Sequence, residues 1–275
     1  MLVNLKDILE IAEKGNFAIP AFNTYNMETV MGVIDAAEEL NAPVILQSYS
    51  RMFNSDNGYY LSKIIIAAAN RAKVPVCFHL DHGKTELEVI RGIRYGCTGI
   101  MIDASNLPLE ENIEITRKIT DISIKAGIPV EGELGHIGST KDELTHDFTD
   151  VDEAEKFVQV TNVTALAISV GTAHGRYKRA PKLDIKRIAD INKKVKAFLV
   201  LHGGSGVPDS ELQYAVEAGI RKVNFGTDLC YSFLDKIFET SRELVAIDLF
   251  MKEPIESVKK FAMEKIRILG AENKA

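Results

Sequence analysis

The sequence predicts an α/β protein folded as a single (β/α)8 barrel, also called a TIM barrel. Its 275 residues suit this fold, which typically needs roughly 250. Short apolar runs recur along the chain, and each is followed by a longer segment with helical periodicity, as in repeated βα units on a parallel sheet. Eight such units can be traced, and no linker or low-complexity tract divides them. We therefore predict one domain over residues 1–275.

Each predicted strand is a short run rich in apolar residues. In chain order the eight strands are Ala18–Phe22, Val44–Gln47, Val76–Leu80, Gly99–Ile102, Val130–Leu134, Ala165–Ser169, Phe198–Leu201 and Lys222–Phe225. The helices predicted between them are Met27–Leu40, Leu61–Arg71, Glu86–Tyr95, Leu109–Ala126, Val151–Thr161, Ile185–Asn192 and Ser210–Ala218. A short N-terminal helix, Leu5–Lys14, precedes the first strand, and a C-terminal helical tail covers Pro254–Leu269.

Capping residues support several of these boundaries. Asp150 precedes an acidic first helical turn, and Pro208 opens another helix, as expected at N-termini. Gly96, Gly127 and Gly219 follow helices just before the next strand, where glycine is the usual C-terminal residue. The polar stretch 135–150 is too long for an ordinary βα connection, and its length predicts a lid or binding loop.

The composition excludes several classes of protein. A hydrophobic content of 46% with 26% charged residues is typical of a globular protein with a large core. The formal charge of −6 offers no basic surface for nucleic acid or an anionic membrane. Charge interrupts the first apolar run at Lys6, and no stretch approaches the roughly 18 apolar residues of a spanning helix. We therefore expect a cytoplasmic protein without a signal peptide.

The three cysteines suggest no special chemistry. Cys77, Cys97 and Cys230 are odd in number, far apart and outside any Cys-x-x-Cys pair. Neither a disulfide framework nor a thiolate zinc site is indicated. We interpret all three as reduced, packed thiols.

Three of the six histidines come at or just after the ends of predicted strands. They are His82, His174 and His202, and a glycine follows each of them. The reactive face of a (β/α)8 barrel lies at the carboxyl ends of its strands, so the three rings are expected to meet there. Catalytic zinc commonly takes three protein ligands, and neutral imidazole suits it. The pattern predicts a catalytic metal site rather than three separate polar residues.

Two residues beside His82 have different expected roles. Asp81 can reach the same space and act on a substrate hydroxyl as a general acid or base. A simpler role for Asp81 would be to cap the helix or loop that follows the strand. His79 lies deeper in the strand and is expected to be a hydrogen-bonded barrel residue rather than a metal ligand.

Two glycine-containing loops favour a phosphate site. Gly203-Gly204-Ser205-Gly206 follows the seventh strand, and Asn224-Phe225-Gly226-Thr227-Asp228 closes the eighth before a helix. Loops at these places form the usual phosphate site of the fold, with backbone N–H groups facing the anion. Gly175 and Lys178 could complete such a site. A glycine-rich turn alone would be weak support.

Six motifs in this chain together resemble the class II, metal-dependent ketose-bisphosphate aldolases, which include the fructose-bisphosphate and tagatose-bisphosphate aldolases. They occur in the family's order over nearly the whole chain. The motifs are Ala21-Phe22-Asn23, Pro43-Val44-Ile45-Leu46-Gln47, His79-Leu80-Asp81-His82-Gly83, Val130-Glu131-Gly132-Glu133-Leu134-Gly135, Gly171-Thr172-Ala173-His174-Gly175 and Leu201-His202-Gly203-Gly204-Ser205-Gly206.

The resemblance implies a role for each matching residue. His82, His174 and His202 would hold zinc (Zn2+), with Glu133 near the metal as an outer or alternative ligand. Asp81 would exchange a proton with the C4 hydroxyl of the substrate. The remaining residues would face the dihydroxyacetone phosphate part of the substrate. For the phosphate these are Gly175, Lys178, Gly203, Ser205 and Thr227, where a monovalent cation (Na+ or K+) could also bind, and for the sugar Asn224 and Asn23.

The implied reaction is the reversible cleavage of a ketose 1,6-bisphosphate, with fructose 1,6-bisphosphate as the first expectation. The products would be dihydroxyacetone phosphate and glyceraldehyde 3-phosphate. Zinc would stabilise the negative charge that develops during cleavage. Tagatose 1,6-bisphosphate and other phosphorylated keto-sugars, such as 6-phospho-5-dehydro-2-deoxygluconate, stay open as substrates. The resemblance also implies a homodimer or homotetramer.

Two positions depart from the family pattern. Tyr49 stands where the family often has a serine near a substrate phosphate, and Arg51 could replace that serine's contact. In the loop after the fifth strand, the place that matches a family glutamate thought to move the C3 proton is taken by Lys141, and Asp142 or Glu143 could substitute for that glutamate. These two departures leave open which phosphorylated ketose is the substrate.

Two other functions are conceivable for a barrel of this kind. A class I aldolase needs a Schiff-base lysine, but Lys222 starts the eighth predicted strand and Lys178 lies in a loop, so no lysine ends a strand. A sugar-phosphate-binding barrel without catalysis is suggested by Tyr49 and Lys141, since a fold alone does not determine function.

Overall fold

The computed structural model describes residues 1–138 and 148–275, and it confirms the (β/α)8 barrel. Eight parallel strands, β2 to β9, pair in a ring that closes between β4 and β5. Their bounds are β2 Ile19–Asn23, β3 Val44–Tyr49, β4 Val76–Gly83, β5 Gly99–Ile102, β6 Val130–Leu134, β7 Ala165–Ile168, β8 Phe198–Leu201 and β9 Ile220–Phe225. The predicted strands agree with these to within a few residues.

A ninth strand, β1 (Leu2–Val3), was not predicted. It pairs in parallel with the start of β4, where Leu2 lies opposite Val76. The pairing of β4 with β5 begins only at His79, so the first residues of β4 would otherwise have a free edge. A two-residue strand is too short to show any periodicity, which is why the sequence pattern does not indicate it.

Helices follow the strands and surround the barrel. Their bounds are α1 Leu5–Gly15, α2 Met27–Glu39, α3 Asp56–Arg71, α4 Glu86–Tyr95, α5 Leu109–Lys125, α6 Val151–Thr161, α7 Ile185–Lys194, α8 Asp209–Ala218, α9 Thr227–Glu239, α10 Ile247–Phe250 and α11 Lys252–Ile268. The predicted helices are confirmed, but α3 begins five residues before Leu61. A 3-10 turn, Ser50–Asn54, precedes it. No helix in the described ranges is long and apolar enough to cross a membrane.

The C-terminal helix α11 closes one side of the barrel by packing against α2 and α9. The contact with α2 depends on Gly32, because a Cβ at this position would lie 2.8 Å from the carbonyl oxygen of Ile255. Phe22, Phe225 and Phe261 fill the space between the sheet and α11, with ring centroids 5.8–6.2 Å apart. The outward faces of the strands thus form the apolar core, whereas their inward faces carry polar groups.

The loop after β6 is described only in part. Its middle, residues 139–147, contains Lys141, Asp142 and Glu143. The middle of the predicted lid, which covers 135–150, and the predicted proton-transfer acids therefore lie outside the described residues.

Candidate active site

Alternation along the strands turns a set of polar side chains into the barrel. Residues two apart on a strand share a face. This spacing explains the pairs His79 and Asp81 on β4, Glu131 and Glu133 on β6, and Lys222 and Asn224 on β9. All six are at most 6% exposed. The outward residues between them are apolar or small, so the polar groups belong to the interior of the barrel.

His82 breaks this alternation. A regular strand would turn His82 away from the side to which its neighbour Asp81 points. Instead, the pairing of β4 with β5 shifts register between Leu80 and Gly83, and His82 has a left-handed φ of 50°. Both side chains consequently line the same cavity. This geometry supports the expectation that the two neighbours act in one site.

The three predicted histidines meet at the carboxyl ends of their strands. The ring of His82 lies 4.7 Å from that of His202 and 4.9 Å from that of His174, measured between centroids. One nitrogen from each ring lies within 4.8 Å of those of the other two. His82 and His202 are buried, and His174 is partly exposed at the cavity. The rings can therefore share one metal ion.

The far nitrogen of each ring already has a hydrogen-bond acceptor. Nδ1 of His82 lies 2.8 Å from Oδ2 of Asp103. Nδ1 of His174 lies 3.1 Å from the carbonyl oxygen of Ile137. Nε2 of His202 lies 2.8 Å from Oε1 of Glu131. Such acceptors favour a proton on the far nitrogen, which leaves the near nitrogen free as a metal ligand.

The near nitrogens, which are the ring nitrogens that face the other two histidines, lie close enough together to require a cation between them. Nε2 of His82 and Nδ1 of His202 are only 3.0 Å apart, and two lone pairs at this distance repel unless a proton or a metal ion lies between them. A second sign is Oε2 of Glu133, which is buried without a hydrogen-bond partner among the described residues. It lies 3.5 Å from Nδ1 of His202. The donor set therefore fits zinc, and an oxygen of Glu133 lies at the edge of the site.

The electrostatic surroundings also suit a metal. Burial, together with the neighbouring His82, lowers the pKa of His174 to about 4, and burial lowers the pKa of His202 well below its usual value. Both rings are thus neutral. Burial opposes a charge on His82, but the carboxylates of Asp81, Asp103 and Glu133 outweigh it and raise its pKa to about 9. The carboxylates that favour a proton there also favour a divalent cation.

The carboxyl group of Glu133 also depends on a nearby cation. Burial and the charge of Asp103 raise the pKa of Glu133 to about 8, so Glu133 is protonated at neutral pH unless a cation binds beside it. Its Oε1 accepts a hydrogen bond from the Ser105 hydroxyl at 2.9 Å. The second oxygen stays available to an ion.

Asp81 is held beside the histidines by two amides. Its Oδ2 accepts a hydrogen bond from Asn23 at 2.7 Å, and its Oδ1 accepts one from Asn224 at 3.3 Å. Gln47 in turn donates to the side-chain oxygen of Asn23 at 3.0 Å. Oδ1 of Asp81 lies 3.9 Å from Nε2 of His82. The carboxylate therefore lies next to the near nitrogens, where a substrate held by the metal would present its hydroxyl groups.

These residues open into a cavity of about 440 Å³, a size typical of small-molecule sites. Most of the predicted substrate-binding residues line it, namely Asn23, Gly175, Gly203, Ser205, Asn224 and Thr227. Lys178 differs, because its side chain is exposed and does not belong to the described lining. The arrangement brings the metal candidates and most of the phosphate candidates to one place.

The loop after β8 is fastened to the start of α9. The backbone N–H of Asp228 donates to the Ser205 hydroxyl at 3.1 Å, and its carboxylate accepts from the N–H of Gly206 at 2.9 Å. Gly203 has a φ of 67°, and a Cβ there would lie 2.5 Å from the carbonyl oxygen of Ala173. Only glycine permits this close approach. The result is a tight turn beside a helix N-terminus, which favours an anion.

Sequence reasoning missed the buried groups behind the histidines. Nζ of Lys222 lies 2.8 Å from Oε2 of Glu131, and Glu131 in turn meets His202. The strand β9 begins at Ile220, so Lys222 lies within the strand rather than at its start. The available signal for Glu131 and Lys222 was the spacing of polar residues two apart in otherwise apolar strands, Glu131 with Glu133 and Lys222 with Asn224. Asp103, which follows β5, gave no such pattern.

His79 only partly matches its expected role. It is buried in the barrel, and within ranges 1–138 and 148–275 it belongs to no group of residues that could hold a metal ion. Its Nε2 lies 3.5 Å from Oε2 of Glu131, but neither ring nitrogen makes a hydrogen bond within the described residues. Burial and the nearby Lys222 lower its pKa to about 3, so the ring is neutral.

Comparisons with known proteins show the family to which the chain belongs. The family model of class-II fructose-bisphosphate aldolases matches residues 3–274. The solved structure of the YdjI aldolase from Escherichia coli K12 has 34% sequence identity and a TM-score of 0.91, and the match covers 100% of both chains. A putative fructose-1,6-biphosphate aldolase from Coccidioides immitis has 27% identity and a TM-score of 0.91, over 98% of this chain and 97% of that one.

A third similar structure is the fructose-bisphosphate aldolase of Campylobacter jejuni. It has 22% identity and a TM-score of 0.84, over 100% of this chain and 97% of that one, and at this identity the likeness concerns the fold. The match of the family model extends over nearly the whole sequence, as do the similar aldolase structures. The chain therefore belongs to the class-II fructose-bisphosphate aldolase family and is an aldolase, a carbon–carbon lyase.

Proposed function

We propose that this aldolase is zinc-dependent and reversibly cleaves fructose 1,6-bisphosphate into dihydroxyacetone phosphate and glyceraldehyde 3-phosphate. The observation that carries the proposal is the convergence of three imidazoles with their near nitrogens free, beside a carboxylate, in one cavity. Membership of the family supports the same reaction. The class I alternative is disfavoured, because the chain matches the class-II family model and Lys222 is paired with the carboxylate of Glu131.

In this proposal Asp81 moves the proton. Cleavage between C3 and C4 requires removal of the proton from the C4 hydroxyl, and the reverse reaction returns it. The amides of Asn23 and Asn224 hold both oxygens of Asp81, which fixes the direction of its remaining lone pairs. A general base that is oriented in this way loses little entropy when the substrate arrives.

The histidines and their acceptors would hold zinc. When bound there, zinc supplies a Lewis acid for the negative charge that develops as the carbon–carbon bond breaks. Asp103, Glu131 and the Ile137 carbonyl keep the three rings in the tautomers that a metal requires. Glu133 contributes a further carboxylate at the edge of the same site.

The loop after β8 and the start of α9 would bind the phosphate of the dihydroxyacetone phosphate part. Gly203, Ser205 and Thr227 line the cavity there, with Gly175 beside them. Backbone N–H groups at such a turn favour an anion without any basic side chain. The contribution of Lys178 and of a monovalent cation stays a prediction of the family resemblance.

We further propose a homo-oligomer, either a dimer or a tetramer. Large apolar side chains are exposed along α9 and the segment after it, with Phe238 at 81%, Val245 at 83% and Ile247 at 73% exposure. Such a patch commonly marks a protein interface. Sedimentation at the mass of a single chain would contradict the proposal.

We also propose a cytoplasmic location. The free thiols of Cys77, Cys97 and Cys230 fit a reducing compartment. Cell fractionation tests this location.

Removal of the metal should abolish cleavage. We expect the protein as purified to contain zinc, to lose activity on exhaustive chelation and to regain it with added zinc, since zinc would supply the divalent charge that stabilises the negative charge developing during cleavage. The measurement is a coupled cleavage assay together with elemental analysis. Activity that survives complete removal of metal would reject the zinc proposal.

The same assay separates the candidate substrates. Fructose 1,6-bisphosphate, tagatose 1,6-bisphosphate and 6-phospho-5-dehydro-2-deoxygluconate are compared by kcat/KM. A higher value for either of the last two would reject the proposed substrate while leaving the aldolase chemistry intact.

The variant Asp81→Ala should retain zinc but lose cleavage. We expect kcat to fall by about 10²- to 10⁴-fold, the contribution typical of a general acid or base. Zinc content and kcat are measured on the same preparation. The matched control Asp121→Ala removes a carboxylate from the exposed face of α5 and should leave kcat unchanged. Near-normal turnover by Asp81→Ala would rule out the assigned role.

The variant Lys222→Met should weaken zinc binding. Without the ammonium group the Glu131 charge is buried and unpaired, which costs on the order of 3–5 kcal/mol of stability. The altered support of His202 should weaken zinc affinity by about 10- to 100-fold. Competition with a zinc-sensitive chelator measures the affinity, and thermal unfolding measures the stability.

Two further variants make this test decisive. The double variant Lys222→Met with Glu131→Gln removes both charges and should regain stability without regaining zinc affinity. Lys125→Met, at an exposed position on α5, controls for loss of a positive charge. Unchanged zinc affinity in both the single and double variants would contradict the positioning role.

A further inference from the structure

The loops after β7 and β8 lie side by side at the open end of the barrel. The two strands pair only as far as Ala167 and Val200, so their backbone ladder does not reach the loops that follow. The loops still come into close contact, because a Cβ on Gly203 would lie 2.5 Å from the carbonyl oxygen of Ala173. Each of these two residues is the chain neighbour of a histidine of the proposed metal site. The sheet itself therefore does not set the distance between the two loops.

The hydroxyl group of Tyr177 lies at this contact. Its oxygen accepts a hydrogen bond from the backbone N–H of Ala173 at 2.7 Å. Its proton faces two carbonyl oxygens, that of Ala173 at 2.8 Å and that of Gly203 at 3.0 Å. Among the described residues, no other hydrogen bond joins 171–178 to 202–207. One hydroxyl group thus links the two loops.

The surroundings keep this hydroxyl group protonated and in one place. Burial raises the pKa of Tyr177 to about 12, so the group can donate a hydrogen bond throughout the neutral range. The ring packs against the hydrophobic core. It also lies against Gly206, where a Cβ would be 3.1 Å from Cδ2 of the tyrosine. The side chain is therefore held both at its ring and at its hydroxyl group.

The residues that this hydroxyl group joins lie beside the proposed phosphate site. Gly175 follows Ala173 in the first loop, and Ser205 follows Gly203 in the second. Groups from both loops line the cavity, whereas Tyr177 is not among its described lining residues. A hydrogen bond to a phosphate oxygen weakens steeply when its donor moves out of line or out of range. The distance between the loops therefore decides whether donors from both can bind one phosphate group.

We infer that Tyr177 is a positioning residue, which sets the distance between the loops after β7 and β8 and so lets the site distinguish a phosphorylated ketone from an unphosphorylated one. The inference rests on the proposed function, since it requires a phosphate group to bind between these loops. Zinc binding should not depend on this hydroxyl group. The three histidine rings are oriented by other partners, namely Asp103, Glu131 and the Ile137 carbonyl.

The test compares dihydroxyacetone phosphate with dihydroxyacetone, which lacks the phosphate group. Both are followed by exchange of a proton on the hydroxymethyl carbon for a deuteron from deuterated water, which needs no aldehyde. We expect the zinc-loaded protein to have a much higher kcat/KM for the phosphorylated ketone. In Tyr177→Phe the ratio of the two values should fall by about 10-fold, as expected when a buried hydrogen bond is lost. Elemental analysis of the same preparation should show an unchanged zinc content.

The variant Tyr177→Phe keeps the ring that packs against Gly206 and loses only the hydroxyl group, so it should fold, as thermal unfolding can verify. Tyr214→Phe makes the same chemical change at an exposed position on α8 and should leave the ratio at its original value. A ratio is read because general damage to the enzyme lowers both rates and leaves their quotient intact.

A double variant tests whether Tyr177 acts through the phosphate loop. Ser205→Ala removes a hydroxyl group that lines the cavity and should itself lower the preference for the phosphorylated ketone. If Tyr177 positions the loop that carries Ser205, this second substitution should cost less in the Tyr177→Phe background than in the unmodified protein. Residues that act together show such non-additive effects.

The outcomes distinguish the inference from the proposed function. A lower ratio with unchanged zinc content supports the inference. An unchanged ratio in Tyr177→Phe, a loss of zinc that accounts for the lower activity, or fully additive effects with Ser205→Ala would overturn it and leave the proposed function intact. If the unmodified protein exchanges neither ketone, or exchanges both equally well, the proposed phosphate site fails and the inference fails with it.

Discussion

The site depends above all on hydrogen bonds at the far nitrogens of three imidazoles. Asp103, Glu131 and the Ile137 carbonyl are acceptors, so each ring turns its other nitrogen toward a common point. These acceptors come from three different segments of the barrel. Without them the rings could rotate or change tautomer, and no single ion would find three lone pairs at once. The acceptors behind the histidines are thus as much a part of the site as the histidines.

The same interior explains why charged groups are tolerated inside a barrel. Lys222 and Glu131 are fully buried, and a buried pair of this kind contributes little net stability after desolvation. Its value lies in orientation, since the pair holds an oxygen against His202. The apolar contacts that stabilise the barrel lie on its outer side, between strands and helices. The two faces of each strand therefore serve separate purposes.

The sequence allowed much of the fold and part of the site to be predicted. The eight strands and their helices were recognisable because buried parallel strands are short apolar runs. The three histidines and Asp81 were recognisable because they come at the ends of such runs. Asp103, Glu131 and Lys222 were not recognised, because their importance arises from partners far away in the chain. The exposed position of Lys178 depends on the path of its loop, which periodicity does not encode.

The backbone at His82 was equally beyond reach of pattern reasoning. A residue other than glycine with a left-handed φ costs on the order of 1–3 kcal/mol. The sequence His-Leu-Asp-His-Gly does not predict this backbone conformation. The benefit is that neighbouring residues, Asp81 and His82, face one cavity. A single peptide unit joins the base to the ligand, so their separation is set by bond lengths and angles. Thermal motion of the barrel or of the surrounding loops therefore moves Asp81 and His82 together and changes the distance between them little.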